Sequence, residues 1–404
     1  MTKKSDAPAI RFKGFSDAWE QRKLGDIASD MVAGGDIDKD LILAEGQYPV
    51  IANALTGDGI VGYYDKEYRV NAPAVTVTGR GDVGHAKARL VNFTPVVRLL
   101  SVKSEHDVFF LENAINTLKI VIESTGVPQL TVPQLAKYEV AFPRQLDEEE
   151  HIGAFFKQLD HLITLHQRKF EKLTNVKKSM LEKMFPQNGS SYPEIRFKGF
   201  TDPWEQRKFD EVFDCTVPNN TLSRVELSYD EGTVLNVHYG DVLIKYGSVL
   251  DVQKDDIPRI PHRCREDFNG ALLQDGDVII ADTAEDETTG KACEIGNLQG
   301  SAIVSGLHTM VCRPRNRMAL GYLGYYLNSN AYHHQLLPLM QGIKVLSLSR
   351  SNIQKTSVSY PIAVKEQQLI AYYFSQLDNL ITLHQRELEK LQNIKKSMLE
   401  KMFV

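Results

Sequence analysis

The most regular pattern of apolar and polar positions lies in two stretches of nearly identical sequence. Residues 158–185 read QLDHLITLHQRKFEKLTNVKKSMLEKMF, and residues 376–403 read QLDNLITLHQRELEKLQNIKKSMLEKMF, with five differences in 28 positions. In both, apolar residues recur at steps of three and four, which keeps one face of a helix apolar and is typical of coiled coils. Neither stretch contains Gly or Pro, so nothing interrupts a helix.

The pattern therefore predicts two long helices, over residues 146–185 and 364–404, that pack on each other through their apolar faces. The predicted interface residues are Phe156, Leu159, Ile163, Phe170, Leu173 and Met180 in the first helix and Phe374, Leu377, Ile381, Leu388, Leu391 and Met398 in the second.

Polar residues interrupt both apolar faces at matched positions, His166 with His384 and Lys177 with Lys395. A polar residue in such a seam can fix the register of the two helices, or it can lie at the solvated edge of a drifting stripe. Leu162 and its neighbours form a second apolar flank, which predicts that each helix contacts more than one partner.

A second repeat precedes each of two unlike regions. Residues 10–23 read IRFKGFSDAWEQRK, and residues 195–208 read IRFKGFTDPWEQRK. Asp17 and Glu20 have the spacing of a helix N-cap and its reciprocal carboxylate. Trp19 and Trp204 are the only tryptophans; they suit either a platform for stacking on a base or a packed anchor, and their matched positions outside the variable regions favour the anchor.

The repeats divide the chain into two modules, each followed by a helix. We predict a first module over 1–145, a first helix over 146–185, a linker over 186–194, a second module over 195–363 and a second helix over 364–404. The module interiors share little sequence except near their ends, where GVPQLT at 126–131 matches GIKVLS at 342–347. Duplicated ends with diverged interiors suit a protein that presents two different specificities from one frame.

Within the modules, short β-branched runs bounded by turn residues indicate strands, and short amphipathic segments indicate helices. The fold class predicted is α+β, with two α/β modules separated by two long helices that form an antiparallel coiled coil in a pseudo-twofold internal repeat. The predicted strands are Ala74–Thr78, Ala86–Val91, Asp277–Ala281 and Ala292–Ile295, and the predicted short helices are Leu111–Ser124 and Met318–Leu327.

Composition bounds the class of protein. The 404 residues suit two domains, and 42% hydrophobic with 25% charged residues is ordinary for a soluble globular protein. The formal net charge of −5 gives no overall positive field, which counts weakly against DNA binding. The four cysteines form no CxxC pair, which favours free thiols over disulfides or a zinc site. No signal peptide or membrane span is expected, which predicts a cytoplasmic protein.

The segment Gly79–Gly84, GRGDVG, fits the G-x-G-x-x-G pattern of dinucleotide sites. A strand-like alternation follows it where a helix is required, so we interpret it as a hairpin loop. Its basic and polar residues, Thr78, Arg80, His85 and Lys87, are our candidates for DNA contact, because such side chains reach phosphates and base edges. A solvated loop without a partner is the alternative.

The second module offers a comparable set of polar, basic and aromatic residues. Its candidates for DNA contact are Lys245, Tyr246, Thr283, Lys291, His308 and Lys344. No metal site is predicted, because no further ligand stands at suitable spacing from His333 and His334. The sequence contains no P-loop, G-x-S-x-G or H-E-x-x-H motif, so no catalytic residue is predicted.

This organisation resembles the specificity subunit of type I restriction–modification systems. The resemblance covers the whole chain and rests on the paired IRFKGF-x-D-x-WEQRK segments, the QLD-x-LITLHQR helices and Glu366-Gln367 at the start of the second helix. The first helix has Glu148-Glu149 instead, a departure from which we expect little consequence.

The resemblance implies a non-catalytic DNA reader. In this family each module reads one half of a bipartite DNA target, the helices separate the modules and dock two methyltransferase subunits, and motor–nuclease subunits complete the endonuclease. S-adenosylmethionine, ATP and magnesium are then expected on those partners, with no cofactor in this chain. A protein-interaction scaffold without a DNA role is the alternative, whereas a stand-alone nuclease or methyltransferase lacks a catalytic constellation.

Overall fold

The structure, a computed structural model, describes residues 7–121 and 129–404. The chain forms two compact units, and each is described by itself. Unit 1 comprises Met1–Arg168 and His384–Val404, and unit 2 comprises Lys169–Leu383. Each unit therefore contains one module together with segments of both long helices.

Unit 1 contains a four-stranded antiparallel sheet in the order β2-β8-β5-β6, a three-stranded sheet β4-β3-β7 and the pair β1-β9. Its strands are β1 (Glu20–Lys23), β2 (Ala28–Ala33), β3 (Tyr48–Ile51), β4 (Ile60–Tyr64), β5 (Ala74–Thr78), β6 (Ala86–Arg89), β7 (Thr94–Pro95), β8 (Leu99–Ser104) and β9 (Glu139–Phe142). Its helices are α1 (Leu24–Ile27), α2 (Val108–Asn116), α3 (Val132–Leu135) and the first part of α4 (Leu146–Lys183).

Unit 2 contains a five-stranded sheet in the order β11-β19-β15-β17-β13, a three-stranded sheet β14-β12-β18 and the pairs β10-β21 and β16-β20. Its strands are β10 (Glu205–Lys208), β11 (Phe213–Asp214), β12 (Val234–Val237), β13 (Val249–Asp251), β14 (Arg259–Ile260), β15 (Val278–Ala281), β16 (Thr283–Ala284), β17 (Ala292–Gly296), β18 (Ala302–Ser305), β19 (Thr309–Pro314), β20 (Leu346–Ser347) and β21 (Ser357–Tyr360). Its helices are α5 (Phe209–Val212), α6 (Tyr239–Ile244), α7 (Tyr322–Leu327), α8 (Asn330–His333), α9 (Arg350–Ile353) and the first part of α10 (Val364–Met402).

Within each unit the two long helices run antiparallel and meet through side chains at repeated positions. In unit 1, the Lys395 ammonium lies 2.6 Å from an Asp160 carboxylate oxygen, and the Nδ1 atoms of His166 and His384 are 3.2 Å apart. In unit 2, Lys177 bonds Asp378 at 2.5 Å. The polar seam residues therefore pair across the helices, which supports the register-fixing interpretation over a solvated edge.

The apolar faces of the helices are buried against the module cores. Phe156 packs against Phe403 in unit 1, with ring centroids 5.8 Å apart, and Phe374 stacks on Phe185 in unit 2 at 5.9 Å. Of the predicted interface residues, Phe156, Leu159, Phe374, Leu377 and Leu388 are buried, and Ile163, Phe170, Leu173, Met180, Ile381, Leu391 and Met398 are half-buried.

Both tryptophans are buried anchors and not exposed stacking platforms. Trp19 packs edge-on against Phe110 in unit 1, and Trp204 packs against Phe185 in unit 2. Each is at most 5% exposed, so neither can stack on a base.

The predicted helix start at Asp17 and Glu20 is wrong. Glu20 instead begins β1, which pairs with β9 from Glu20↔Phe142 to Lys23↔Glu139, and the second repeat pairs in the same way, from Glu205↔Tyr360. A local cap motif could not reveal these strand partners, which lie more than a hundred residues away, and pairing along a whole strand outweighs one side-chain cap.

The remaining predicted strands are close to those observed, whereas both predicted short helices are shorter than expected. The strand Ala74–Thr78 is confirmed at both ends, and the other predicted strands differ from the observed ones by one or two residues at one end. The predicted helix at Met318–Leu327 begins later, at Tyr322, and the one at Leu111–Ser124 is observed as Val108–Asn116; its last three predicted residues lie outside the described residues. The α+β class with two long helices is confirmed, and the predicted domain limits stay a prediction.

Each long helix begins with a buried carboxylate that binds an arginine of the repeat preceding the module. In unit 1, Glu148 receives hydrogen bonds from Arg11 Nε and Nη2 at 2.5 and 2.8 Å. In unit 2, Glu366 binds Arg196 at 2.7 and 2.9 Å and also accepts from Trp204 Nε1 at 3.3 Å. These bidentate pairs join each IRFKGF segment to the first turn of its helix.

The next residue differs between the two helices and has different partners in each, and the expectation of little consequence stays a prediction. Glu149 is buried and lies 2.9 Å from His106 Nδ1. Gln367 at the matching position instead bonds main-chain atoms, accepting from the Ala319 N–H at 2.9 Å and donating to the Pro361 carbonyl at 2.9 Å. The carboxylate of Glu149 thus faces a histidine, whereas the amide of Gln367 both accepts from and donates to the main chain.

Glu294 on β17 is a buried carboxyl whose ionisation should make the stability of unit 2 depend on pH. Burial raises the pKa of Glu294 to about 7, although the Gly324 N–H donates to it at 2.8 Å. The native state thus keeps a proton that the unfolded chain releases above its ordinary pKa of 4.5, so the free energy of unfolding should fall as pH rises from about 4.5 to 7.

Glu294→Gln keeps the acceptor and removes the charge. We expect the stability of this variant relative to the parent to rise by roughly 3 kcal/mol between pH 5 and pH 8. Urea unfolding at pH 5, 6, 7 and 8 measures the difference, with exposed Glu285→Gln as the control. A difference that does not change with pH would contradict the prediction.

Among the described residues, no helix combines the length and the apolar character that crossing a membrane requires.

Candidate nucleic-acid interface

The candidate residues of unit 1 lie on and beside the β5–β6 hairpin. The strands pair from Ala74↔Arg89 to Val77↔Ala86, which puts Thr76, Thr78, His85, Lys87 and Arg89 around one cleft. This cleft contains about 70 Å³ of water-accessible space. Its lining residues are Ala52, Ala54, Leu55, Asp58, Thr76, Thr78, His85, Lys87, Arg89 and Leu99.

The electrostatics of this cleft are those of a partly desolvated basic surface. Lys87 is exposed and lies 3.6 Å from Asp58. Burial lowers the pKa of His85 and that of Arg89, and the Arg89 Nε donates to Thr76 Oγ1 at 3.0 Å. A neutral His85 can accept one hydrogen bond and donate another, as recognition of a base edge requires.

Thr78 shapes the loop and is not a free contact residue, which corrects its assignment. Its side chain is buried; the hydroxyl donates to the Asp82 carbonyl and accepts from the His85 N–H at 2.9 Å. Arg80, in contrast, is exposed. Asn53, which no motif in the sequence marks, also supports this loop: its side-chain oxygen accepts from the Gly79 N–H at 2.8 Å.

A second segment closes against the base of the same loop. Arg80 forms a bridge with Gln129, and the Leu130 N–H donates to the Gly79 carbonyl at 2.9 Å. Gln129 and Leu130 belong to the GVPQLT segment, whose residues 126–128 lie outside the described residues.

Unit 2 repeats this arrangement. There β16 (Thr283–Ala284) follows the central strand β15 and pairs with β20 through Thr283↔Ser347 and Ala284↔Leu346. Leu346 and Ser347 belong to GIKVLS, the counterpart of GVPQLT. The sequence match between the two modules therefore corresponds to the same closure of a loop in both.

The structure brings two candidates of unit 2 together at this edge and exposes a third in the adjoining loop. Thr283 Oγ1 lies 3.4 Å from His308 Nδ1, and Lys344 is exposed in the loop that β20 closes. His308 also packs edge-on against Tyr239 at the start of α6, with centroids 5.3 Å apart. Thr283 and His308 thus lie together, and the loop that carries Lys344 starts from Ser347, the strand partner of Thr283.

Lys245 lies at the other end of α6, in a cluster with Arg224 and Tyr229. Tyr229 is flanked by two cations, with Arg224 Cζ 5.2 Å and Lys245 Nζ 4.6 Å from its ring centroid. Burial lowers the pKa of Lys245, but hydrogen bonds to Asp256 and Tyr229 outweigh burial and raise it. Arg224 binds Asp241 of α6 at 2.6 Å. Arg224 and Tyr229 carry no pattern in the sequence that identifies them.

Two other candidates of unit 2 are corrected by their surroundings. Tyr246 is 3% exposed, and burial raises the pKa of its hydroxyl well above the usual range, so it packs in the core and is not presented to a ligand. The Lys291 ammonium donates to the Leu243 carbonyl at 2.8 Å, and burial lowers its pKa. Lys291 therefore supports α6 and is not a free basic contact.

Comparison with known proteins agrees with the duplicated architecture. The profile of the family described as "Type I restriction modification DNA specificity domain" matches residues 16–175 and 202–393. The type I restriction enzyme MjaVIII specificity subunit of Methanocaldococcus jannaschii is 22% identical over 405 residues, covering 94% of this chain and 91% of that protein.

A protein of Mycoplasma pneumoniae named as a type I specificity subunit is 30% identical over 145 residues, covering 35% of this chain and only 39% of the relative. The crystal structure of a type I restriction–modification S subunit from M. genitalium has a TM-score of 0.61 and 15% identity, and covers 98% of this chain and 99% of that one. At this identity the structural likeness shows the fold alone.

With two copies of the domain over most of its length, the chain belongs to the type I restriction–modification DNA specificity family.

Proposed function

We propose that this chain is a DNA-specificity subunit in which each module reads one half of a bipartite, gapped target and the long helices act as the spacer between the half-sites. The observation that carries the proposal is the loop closure repeated in both units, Gly79 with Leu130 and β16 with β20. This closure recurs in both units, whereas the side chains around it differ, as two different half-sites would require.

The exposed basic and polar side chains at these edges have the chemistry of groove readers. Arg can bond guanine through two acceptors, and His, Thr and Lys reach base edges or phosphates. The chain supplies recognition and no bond-breaking chemistry, so we place S-adenosylmethionine, ATP and magnesium on partner subunits. The net charge of −5 fits this division, because partners can provide much of the phosphate binding that affinity depends on.

We further propose that the helices dock two copies of one methyltransferase subunit. Residues 162–168 and 380–386 are identical, LITLHQR, and they carry apolar side chains on the outside of the helices. Leu162 and Leu165 are 40% and 38% exposed, and Leu380 and Leu383 are 43% and 51% exposed. Identical exposed surfaces next to diverged modules suit one kind of partner bound twice, while motor–nuclease subunits complete the complex.

Arg80→Ala tests the assignment of half-sites. With the chain co-expressed with its methyltransferase, we expect discrimination at one or two positions of one half-site to fall about 10- to 100-fold, because a lost bidentate contact costs about 1–3 kcal/mol. The other half-site should be read as before. Binding to duplexes in which each target position is varied in turn measures this change.

Arg144→Ala provides a matched control, because this arginine is also exposed in unit 1 but bonds Glu20 at 3.2 Å. If the Arg80→Ala variant read both half-sites as the unaltered chain does, Arg80 would not be a base-contacting residue. If the unaltered complex did not distinguish any DNA sequence while still binding its protein partner, the chain would instead be an interaction scaffold.

A further inference from the structure

We propose that Ile343 is a wedge that inserts between stacked bases at the half-site read by unit 2, with Lys344 contacting the adjoining phosphate. This inference rests on the proposed function, since it names how one loop of the recognition module meets DNA. It adds deformation of the duplex to the contacts by which the module selects its sequence.

The first support is the rigid base of the loop. Gln341 and Ser347 exchange two main-chain hydrogen bonds at 3.0 and 2.8 Å, and β20 is held by β16. Gly342 has φ +123°, and a Cβ there would lie 1.9 Å from the Val345 carbonyl oxygen, so the turn requires glycine. The segment from Gly342 to Val345 is therefore a short loop with a fixed stem.

The second support is what the loop exposes. Ile343 is 100% exposed and Val345 50% exposed, with Lys344 between them and also exposed. Within the described residues Lys344 makes no ion pair, so its charge is available to a phosphate. Isoleucine is β-branched and has few rotamers, so ordering it in a complex costs little side-chain entropy.

The third support is the position of the loop. Its stem lies directly beside Thr283, which lies 3.4 Å from His308, so the tip projects from the edge that carries the candidate base contacts. Proteins that kink DNA insert apolar side chains, isoleucine among them, between base steps and hold the flanking backbone with basic residues. The first module has Val127 at the matching position of GVPQLT, so the sequence repeats an apolar residue after the glycine; Val127 lies outside the described residues.

Other exposed apolar residues of unit 2 have a different setting. Val225 and Ile244 are 91% and 88% exposed, and each also adjoins a cation. These cations, Arg224 and Lys245, are however bound to Asp241 and Asp256, and both lie on short helical turns and not at a loop tip. Ile244 therefore serves as a matched control for an exposed apolar side chain that is not a wedge.

The test uses the full chain co-expressed with its methyltransferase and duplexes of its target, identified by methylome sequencing. Each adenine of the half-site and its borders is replaced in turn by 2-aminopurine, whose fluorescence rises several-fold when it is unstacked. Besides the adenine that the methyltransferase itself turns out of the duplex, we expect one position to respond with the unaltered chain, and that response to be lost with Ile343→Ala. Affinity for the target should fall about 10-fold, as expected for an isoleucine side chain that is no longer buried.

The controls make each outcome decisive. Ile343→Leu should retain the fluorescence response, Ile244→Ala should leave it unchanged, and thermal unfolding should be the same for all variants because both side chains are exposed. A response that persists at that second position in Ile343→Ala overturns the wedge, and so does specific binding with a response at the flipped adenine alone. If replacing a thymine with deoxyuracil lowered the affinity of the unaltered chain as much as Ile343→Ala does, Ile343 would instead contact the thymine methyl group. If the unaltered complex does not discriminate its target, the proposed function itself fails.

Discussion

Glu366→Ala is expected to lower the free energy of unfolding of unit 2 by about 3–5 kcal/mol, because it leaves a largely desolvated guanidinium without its partner. The Glu366 side chain is 1% exposed and that of Arg196 is 14% exposed. A guanidinium stays protonated in proteins, so the charge of Arg196 remains when the carboxylate is removed. The substitution also removes the acceptor of the buried Trp204 indole N–H.

The position of the two tryptophans allows this loss to be measured for one unit. In a Trp19→Phe background the only indole is Trp204, so the midpoint of urea unfolding followed by its fluorescence reports on unit 2. Glu194→Ala is the control, because Glu194 bonds Lys183 at 2.7 Å in an exposed pair and exposed ion pairs contribute little. A midpoint for Glu366→Ala that matches the control would show that the buried pair does not hold the helix to its module.

The elements that are predicted correctly are those that depend on a local sequence pattern or on a repeated segment. The strand Ala74–Thr78 follows from a β-branched run that turn residues bound on each side, and all five of its residues are buried in the sheet. The long helices follow from apolar spacing over ten turns. The observed helices end at Lys183 and Met402, near the limits expected, and Met184 and Phe185 are then buried in the core of unit 2.

The errors come from contacts between residues that are far apart in sequence. Tyr246 is a candidate because of its chemistry, yet its ring is buried in the core. Nothing in the sequence of residues 244–248 indicates which of these side chains is buried and which is exposed. Arg224 and Tyr229 were missed because they meet Lys245 and Asp241 only in the folded module. Residue type predicted the kind of surface, whereas tertiary pairing decided which side chains form it.

The docking proposal leads to the second large effect. Leu162→Glu with Leu165→Glu should abolish binding of one of two methyltransferase copies while the other copy remains bound, because the pair at Leu380 and Leu383 is unaltered. Two apolar anchors removed from an interface centre typically reduce affinity by about a thousand-fold or more, and the introduced charges would also be desolvated there. Native mass spectrometry of the co-expressed complex measures the number of copies directly.

Leu146→Glu is the matched control, because Leu146 is 55% exposed on α4 but lies outside the LITLHQR repeat. It should leave two copies bound. The substituted leucines are exposed in the free chain, so thermal unfolding should not change, and a lower midpoint would point to a role within unit 1 instead of at a partner interface. Retention of both copies by the double variant would show that these identical surfaces are not the docking sites. Loss of both copies would show that the two sites are coupled and not independent.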